Sequence, residues 1–188
     1  MGNLAAKAIF KKKKEVLNEI PQSFFSVGAV DIDGKHVKFE DFKGKHKAFL
    51  VTNVASQWGL TQTNYTQFVE LYNKHKDQGL TILAFPCNQF SNQESKPEAS
   101  IKQFATEKFN VNFPMFSKVE VNGENAHPLF KFLRHNSELY EETTKTAKQI
   151  PWNFAKFLLD RDGKVVKFYG PRVEPNKMED DIVALLKD

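Results

Sequence analysis

Apolar and polar positions alternate along this chain in two distinct periods. The folded part begins at Phe24. Val30-Asp31-Ile32-Asp33-Gly34-Lys35-His36-Val37 predicts a hairpin with a glycine in its turn. Ala48 to Val54 is a short run carrying Phe49, Leu50, Val51 and Val54, as expected of a central strand buried on both faces. Tyr65, Phe68, Val69 and Tyr72 then follow helical spacing, with Gly79 where a C-terminal cap belongs. Leu80 to Phe85 predicts a second buried strand, stopped by Pro86. Ser100-Ile101-Lys102-Gln103 reads as a capping box ahead of a helix with Phe104, Ala105 and Lys108 on one face. Val119 to Val121 predicts a short strand, and Leu129, Phe132 and Leu133 mark another helix.

Phe157-Leu158-Leu159, a turn at Arg161-Asp162-Gly163-Lys164 and Val165 to Tyr169 predict a closing antiparallel hairpin. A last helix starts after Pro175-Asn176. It places Glu179, Asp180 and Asp181 in its first turn, where they complement the helix dipole, and buries Met178, Ile182, Leu185 and Leu186. Buried strands alternating with helices and followed by a hairpin define an α/β fold with a mixed central sheet and an N-terminal hairpin. No internal repeat or low-complexity linker interrupts the pattern.

Composition narrows the function classes. A chain of 188 residues supports one domain with a proper core. Mean hydropathy is -0.50, apolar content is 40%, and no uncharged apolar run is long enough to span a membrane. Net charge is +4, much of it from Lys7 and Lys11 to Lys14, and no basic–aromatic pattern points to nucleic acid. Cys87 is the single cysteine, which excludes an intramolecular disulfide or a cysteine metal cluster; the five histidines show no ligand spacing, so no metal site is expected.

Residues 1–21 differ from the rest and are expected to form a flexible basic extension, with the domain spanning 22–188. Gly2 after Met1 together with Lys11–Lys14 resembles a two-signal lipid anchor, but Ala6 stands where the acylation motif has Ser or Thr. A solvated extension is the favoured reading, with weak membrane-surface association through the lysines as the alternative. No apolar segment of signal-peptide type follows the basic start. Lack of disulfides suits a reducing compartment, and the expected location is cytoplasmic.

Three motifs carry chemistry. They are Asn53-Val54-Ala55-Ser56-Gln57-Trp58-Gly59, then Leu83-Ala84-Phe85-Pro86-Cys87-Asn88-Gln89-Phe90 continuing to Gln93-Glu94, and Trp152-Asn153-Phe154. Taken singly, a Gln is usually surface, a Trp core and an Asn a turn residue. In this order and combination the motifs closely resemble the glutathione peroxidases, from about Phe24 to the C-terminus. The resemblance implies a thioredoxin-like fold and reduction of hydrogen peroxide and organic or lipid hydroperoxides, with glutathione as the reducing co-substrate and no bound cofactor. It also implies a site in which Gln93, Trp152 and Asn153 surround the reactive atom.

In that family the sixth position of the first motif is cysteine or selenocysteine, and here it is Trp58. An indole donates a hydrogen bond but offers no lone pair for attack. The chain with Trp58 is therefore expected to be inactive. One explanation is that Trp58 stands for a selenocysteine whose UGA codon is read as tryptophan; the other is a catalytically dead relative kept for binding or structural work, with the indole filling the pocket around Gln93 and Trp152. Cys87 lies in the second motif at a position that is not peroxidatic in the family, and a buried structural role is expected. Thr106 occupies the place where thioredoxin-using members carry a resolving cysteine, so the resemblance points to an external thiol. The short connection between Leu133 and Trp152 lacks the insertion of tetrameric members and resembles the monomeric phospholipid-hydroperoxide type.

Overall fold

The computed structural model describes residues 13–187. A four-stranded sheet forms the centre, in the order β5 (Leu80–Pro86), β4 (Ala48–Val54), β8 (Lys156–Asp160), β9 (Val165–Tyr169). β4 pairs parallel with β5 and antiparallel with β8, and β8 pairs antiparallel with β9, so the sheet is mixed as expected. All seven residues of β4 are buried. Such a strand needs apolar side chains on both faces, and alternate residues do serve two separate cores. Phe49 and Val51 join Phe24, Phe39, Phe85, Phe116, Phe130 and Phe157 on one face. Ala48, Leu50 and Val54 join Tyr65, Phe68, Ile101, Ile182 and Leu186 on the other.

Helices α1 (Thr61–His75), α2 (Glu98–Phe109) and α4 (Glu179–Leu186) supply that second core. The first is closed by the N-terminal hairpin β2 (Gly28–Val30) and β3 (His36–Lys38) and by α3 (Pro128–His135). The turn after α1 ends at Gly79 with φ +113, a left-handed cap that only glycine adopts without strain. At the tip of the β8–β9 hairpin, Gly163 has φ +75, and a Cβ there would meet Phe24 Cβ at 2.8 Å.

Three expectations are corrected. Val119–Val121 forms no strand. The Val119 N–H is taken by Pro86 O at 2.9 Å and the Val121 N–H by the Gln89 side chain at 2.8 Å, so neither is free for a ladder. The capping box at Ser100 is not used, because α2 starts at Glu98 behind Pro97, and Ser100 lies inside the helix. The boundary at residue 22 also moves. β1 (Lys14–Glu15) pairs with β7 (Thr146–Lys148), which pairs in turn with β6 (Tyr140–Glu141), making a three-stranded sheet from a run that reads as solvated charge. The cause is Arg134, fully buried on α3, whose guanidinium meets Glu15 Oε2 at 2.8 Å and donates to Lys148 O, Val121 O and Ala147 O. A buried charge needs a paired, hydrogen-bonded partner, and Glu15 supplies it. Residues 1–12, with Gly2 and Lys11–Lys12, lie outside the described residues.

Candidate active site

The site lies at the C-terminal ends of β4 and β5, where open α/β sheets place their ligands. The loop Ala55–Leu60 leaves β4 and enters α1. Thr61 ties it down: its Oγ1 donates to Ala55 O at 2.8 Å and accepts the Trp58 N–H at 3.0 Å. Residue 58 is thereby held at the start of a 15-residue helix, where unpaired N–H groups and the dipole favour negative charge.

Two further segments close on this loop. The Gln57 N–H donates to Gln93 O at 3.1 Å, and Cys87 N–H donates to Val54 O at 3.1 Å, so the second motif is bonded to the first. The third motif is fixed from beneath by Asn53, which is fully buried. Its Nδ2 donates to Trp152 O at 3.1 Å, its Oδ1 accepts the Ala155 N–H at 3.1 Å, and its carbonyl accepts the Phe154 N–H at 2.7 Å. Phe154 takes φ +60 in this arrangement although it is fully buried, a conformation that a non-glycine residue holds only when its surroundings demand it.

Of the four residues singled out from the sequence, Gln93 and Asn153 are directly joined: Asn153 Nδ2 donates to Gln93 Oε1 at 2.7 Å. That bond uses the Gln93 oxygen and leaves its amide N–H groups as donors. Trp152 is half-buried, with its ring 5.5 Å from that of Phe90. It shares an open groove with Trp58, Pro151 and the segment Gly170–Val173. The Trp58 indole lines this groove together with Trp152. It stacks on Phe154, with centroids 6.0 Å apart and planes at 18°, and so packs on the α1 side of the groove.

Cys87 is buried on the other core, and burial pushes its thiol up to about 11. A thiol in that state is inert, as expected of a structural cysteine. Thr106 donates to Lys102 O on its own helix and has no part in the groove. The sequence reading missed Asn53 and Glu94. An asparagine inside an apolar run and a glutamate in a polar loop carry no signal of their own; burial exposes them. Glu94 is 1% exposed, and burial raises its carboxyl to about 7. Among the described residues no group of three or more His, Cys, Asp or Glu side chains could hold a metal ion, and no helix is long and apolar enough to cross a membrane.

The fold is of the thioredoxin class. A thiol:disulfide interchange protein of Chlorobium tepidum, 18% identical, superposes with a TM-score of 0.61 over 90% of this chain and 99% of that one. Within that class the chain belongs to the glutathione peroxidase family, whose model matches residues 24–134. It is 46% identical over 166 residues to a probable phospholipid hydroperoxide glutathione peroxidase of Solanum lycopersicum, covering 88% of this chain and 94% of the relative. The crystal structure of T. cruzi GPX1 is 35% identical, with a TM-score of 0.67 over 88% of this chain and 97% of that one.

Proposed function

We propose that this scaffold reduces hydrogen peroxide and organic or lipid hydroperoxides with glutathione, and that residue 58 is the position of the nucleophile. The observation that carries the reading is that the segments of Gln93 and Trp152 both reach the loop of residue 58: Gln93 O accepts the Gln57 N–H at 3.1 Å, and Trp152 lines one groove with Trp58. The Gln93 amide, the Asn153 amide bonded to it and the Trp152 indole are the neutral donors this reading assigns to the site. Neutral donors suit this reaction because they stabilise an anion at residue 58 without adding a charge of their own. A selenolate or thiolate there attacks one oxygen of the O–O bond. The bond breaks, the alkoxide or hydroxide leaves and is protonated to alcohol or water, and residue 58 becomes a selenenic or sulfenic acid. One glutathione converts that acid to a mixed conjugate with loss of water, and a second releases the reduced residue and glutathione disulfide.

With Trp58 this sequence cannot start, and Cys87 does not substitute for it, because its thiol is buried and protonated. The favoured account is that position 58 is encoded by UGA and is selenocysteine in the active protein. The preserved Gln93, Trp152 and Asn153 support it, as does Thr106 at the resolving position. A UGG codon in the transcript would overturn this account. A catalytically dead relative is the second reading, supported by the stacking of the Trp58 indole on Phe154, which gives tryptophan a packed home. Hydroperoxide reduction by Trp58→Cys tests the common ground of both: turnover with glutathione is expected, against none for the chain with Trp58. We further assign a monomer of the phospholipid-hydroperoxide type in a reducing, cytoplasmic compartment, a location that a chain with a single cysteine suits. Surface association with membranes through Lys11–Lys14 belongs to the same proposal.

A further inference from the structure

We propose that Glu94 is a positioning residue of this site, a neutral carboxylic acid held under the loop Ala55–Gly59 whose ionisation weakens the nucleophile at residue 58. The inference rests on the reading of residue 58 as the nucleophile position and adds a control to it.

Glu94 directly follows Gln93 in the chain, and Gln93 O accepts the Gln57 N–H one residue before position 58. The Glu94 N–H donates to Asn88 Oδ1 at 3.0 Å, which fixes its backbone against the second motif. Its side chain is buried, and the hydroxyl and N–H of Ser56, two residues before position 58, face it. Glu94 Oε2 finds no hydrogen-bond partner among the described residues, and neither does Ser56 Oγ. A carboxylate cannot donate, but a carboxylic acid has one O–H to give. Ser56 can donate to the carboxyl, but Oε2 is buried without a partner among the described residues, and a proton on Glu94 removes the cost of burying a charge there.

The groups around Glu94 leave the neutral form competitive near neutral pH. From the nucleophile loop comes Ser56, which does not titrate there. From α1 comes Tyr65, fully buried; burial first and the Glu94 charge second raise its phenol, so it stays neutral. From the end of β5 comes Cys87, protonated because burial raises its thiol as well. Lys118 is the cation whose charge reaches Glu94 and favours its ionised form, and its ammonium is committed to Lys96 O at 2.9 Å. Burial outweighs these favourable contacts and brings the carboxyl up to about 7. Above that pH a carboxylate lies beneath the loop that must carry a second anion, and like charge raises the nucleophile's pKa.

The test compares Trp58→Cys with Trp58→Cys/Glu94→Gln. Glutamine keeps the shape of the neutral acid and does not titrate. Two readouts are taken from pH 5.5 to about 9 in steps of about half a unit, spanning the ordinary range of protein thiols: alkylation of residue 58 by iodoacetamide, and hydroperoxide reduction with glutathione. We expect the two proteins to match in acid. At alkaline pH the double variant is expected to alkylate as a thiol of lower pKa and to turn over severalfold faster, because the second ionisation near neutrality is gone. Superimposable alkylation profiles overturn the proposal. Alkylation profiles that differ while neither protein reduces hydroperoxide leave the Glu94 assignment standing and sink the peroxidase reading instead. Should the double variant not fold, the carboxyl of Glu94 is titrated by carbon-13 NMR in the unsubstituted chain. A midpoint near neutrality supports the inference, and one in the ordinary carboxylate range overturns it.

Discussion

Removing the side chain of Asn53 tests how the third motif is held in place. Asn53→Ala strips two hydrogen bonds, from Nδ2 to Trp152 O and from Ala155 N–H to Oδ1. Ala155 is fully buried, so its N–H is left without a partner, at a cost of about 1–3 kcal/mol. Trp152 is half-buried and water replaces part of the loss there, adding about 1 kcal/mol. The sum, about 2–4 kcal/mol, corresponds to a fall in Tm of about 5–15 °C for a domain of this size. Circular dichroism followed through thermal unfolding reads that change directly. The same substitution made together with Trp58→Cys has a second consequence, because Asn53 positions the loop that carries Trp152 and Asn153. Well below its Tm, that protein is expected to lose at least about tenfold in kcat/KM for hydroperoxide relative to Trp58→Cys alone, a misplacement of about 1 Å being worth that much or more. A Tm within about 2 °C of the parent, against the range above, would show that the two bonds do little. An unchanged kcat/KM would refute the positioning role even if stability fell.

Three other perturbations probe the remaining structure. Glu15→Gln removes the counter-charge of buried Arg134 and is expected to cost about 3 kcal/mol at neutral pH, read by urea unfolding. Burial tends to raise the Glu15 carboxyl, but Gln149, the Gly123 N–H and Arg134 outweigh it and hold it below the usual value. Its stabilisation is therefore fully present above the ordinary carboxylate pKa and lost as pH falls through the lowered one, so the parent and Glu15→Gln should converge in acid. Gly163→Ala puts a Cβ 2.8 Å from Phe24 Cβ at φ +75 and is expected to destabilise by about 2 kcal/mol or more, measured by thermal unfolding. Cys87, buried and protonated, should not react with Ellman's reagent near neutral pH in the native chain and should react fully in denaturant.

Local pattern carried the elements that bury a full face. β4 was legible because apolar residues filled both of its faces, and α1 because Tyr65 and Phe68 fall on one stripe. β1 was not legible, because the reason for it lies far away in sequence: Arg134 requires Glu15, and nothing in Lys11–Glu15 itself signals pairing. The strand expected at Val119–Val121 had the right residue types. The Gln89 side chain, itself positioned by a loop, takes the hydrogen bonds that a strand would need. Ser100–Gln103 had the capping spacing, and Pro97 started the helix earlier. In the site, Gln93, Trp152 and Asn153 were recognisable only through the motifs around them. Asn53 and Glu94 were hidden because their importance comes from burial against a loop from another part of the chain.

The most direct measurement is hydroperoxide reduction with glutathione by Trp58→Cys carrying Cys87→Ser, so that residue 58 is the only thiol. The account predicts saturable turnover from this protein and none from the chain with Trp58 under the same conditions. A folded double variant whose thiol at position 58 alkylates fully yet reduces no hydroperoxide would contradict it, as would turnover by the unsubstituted chain.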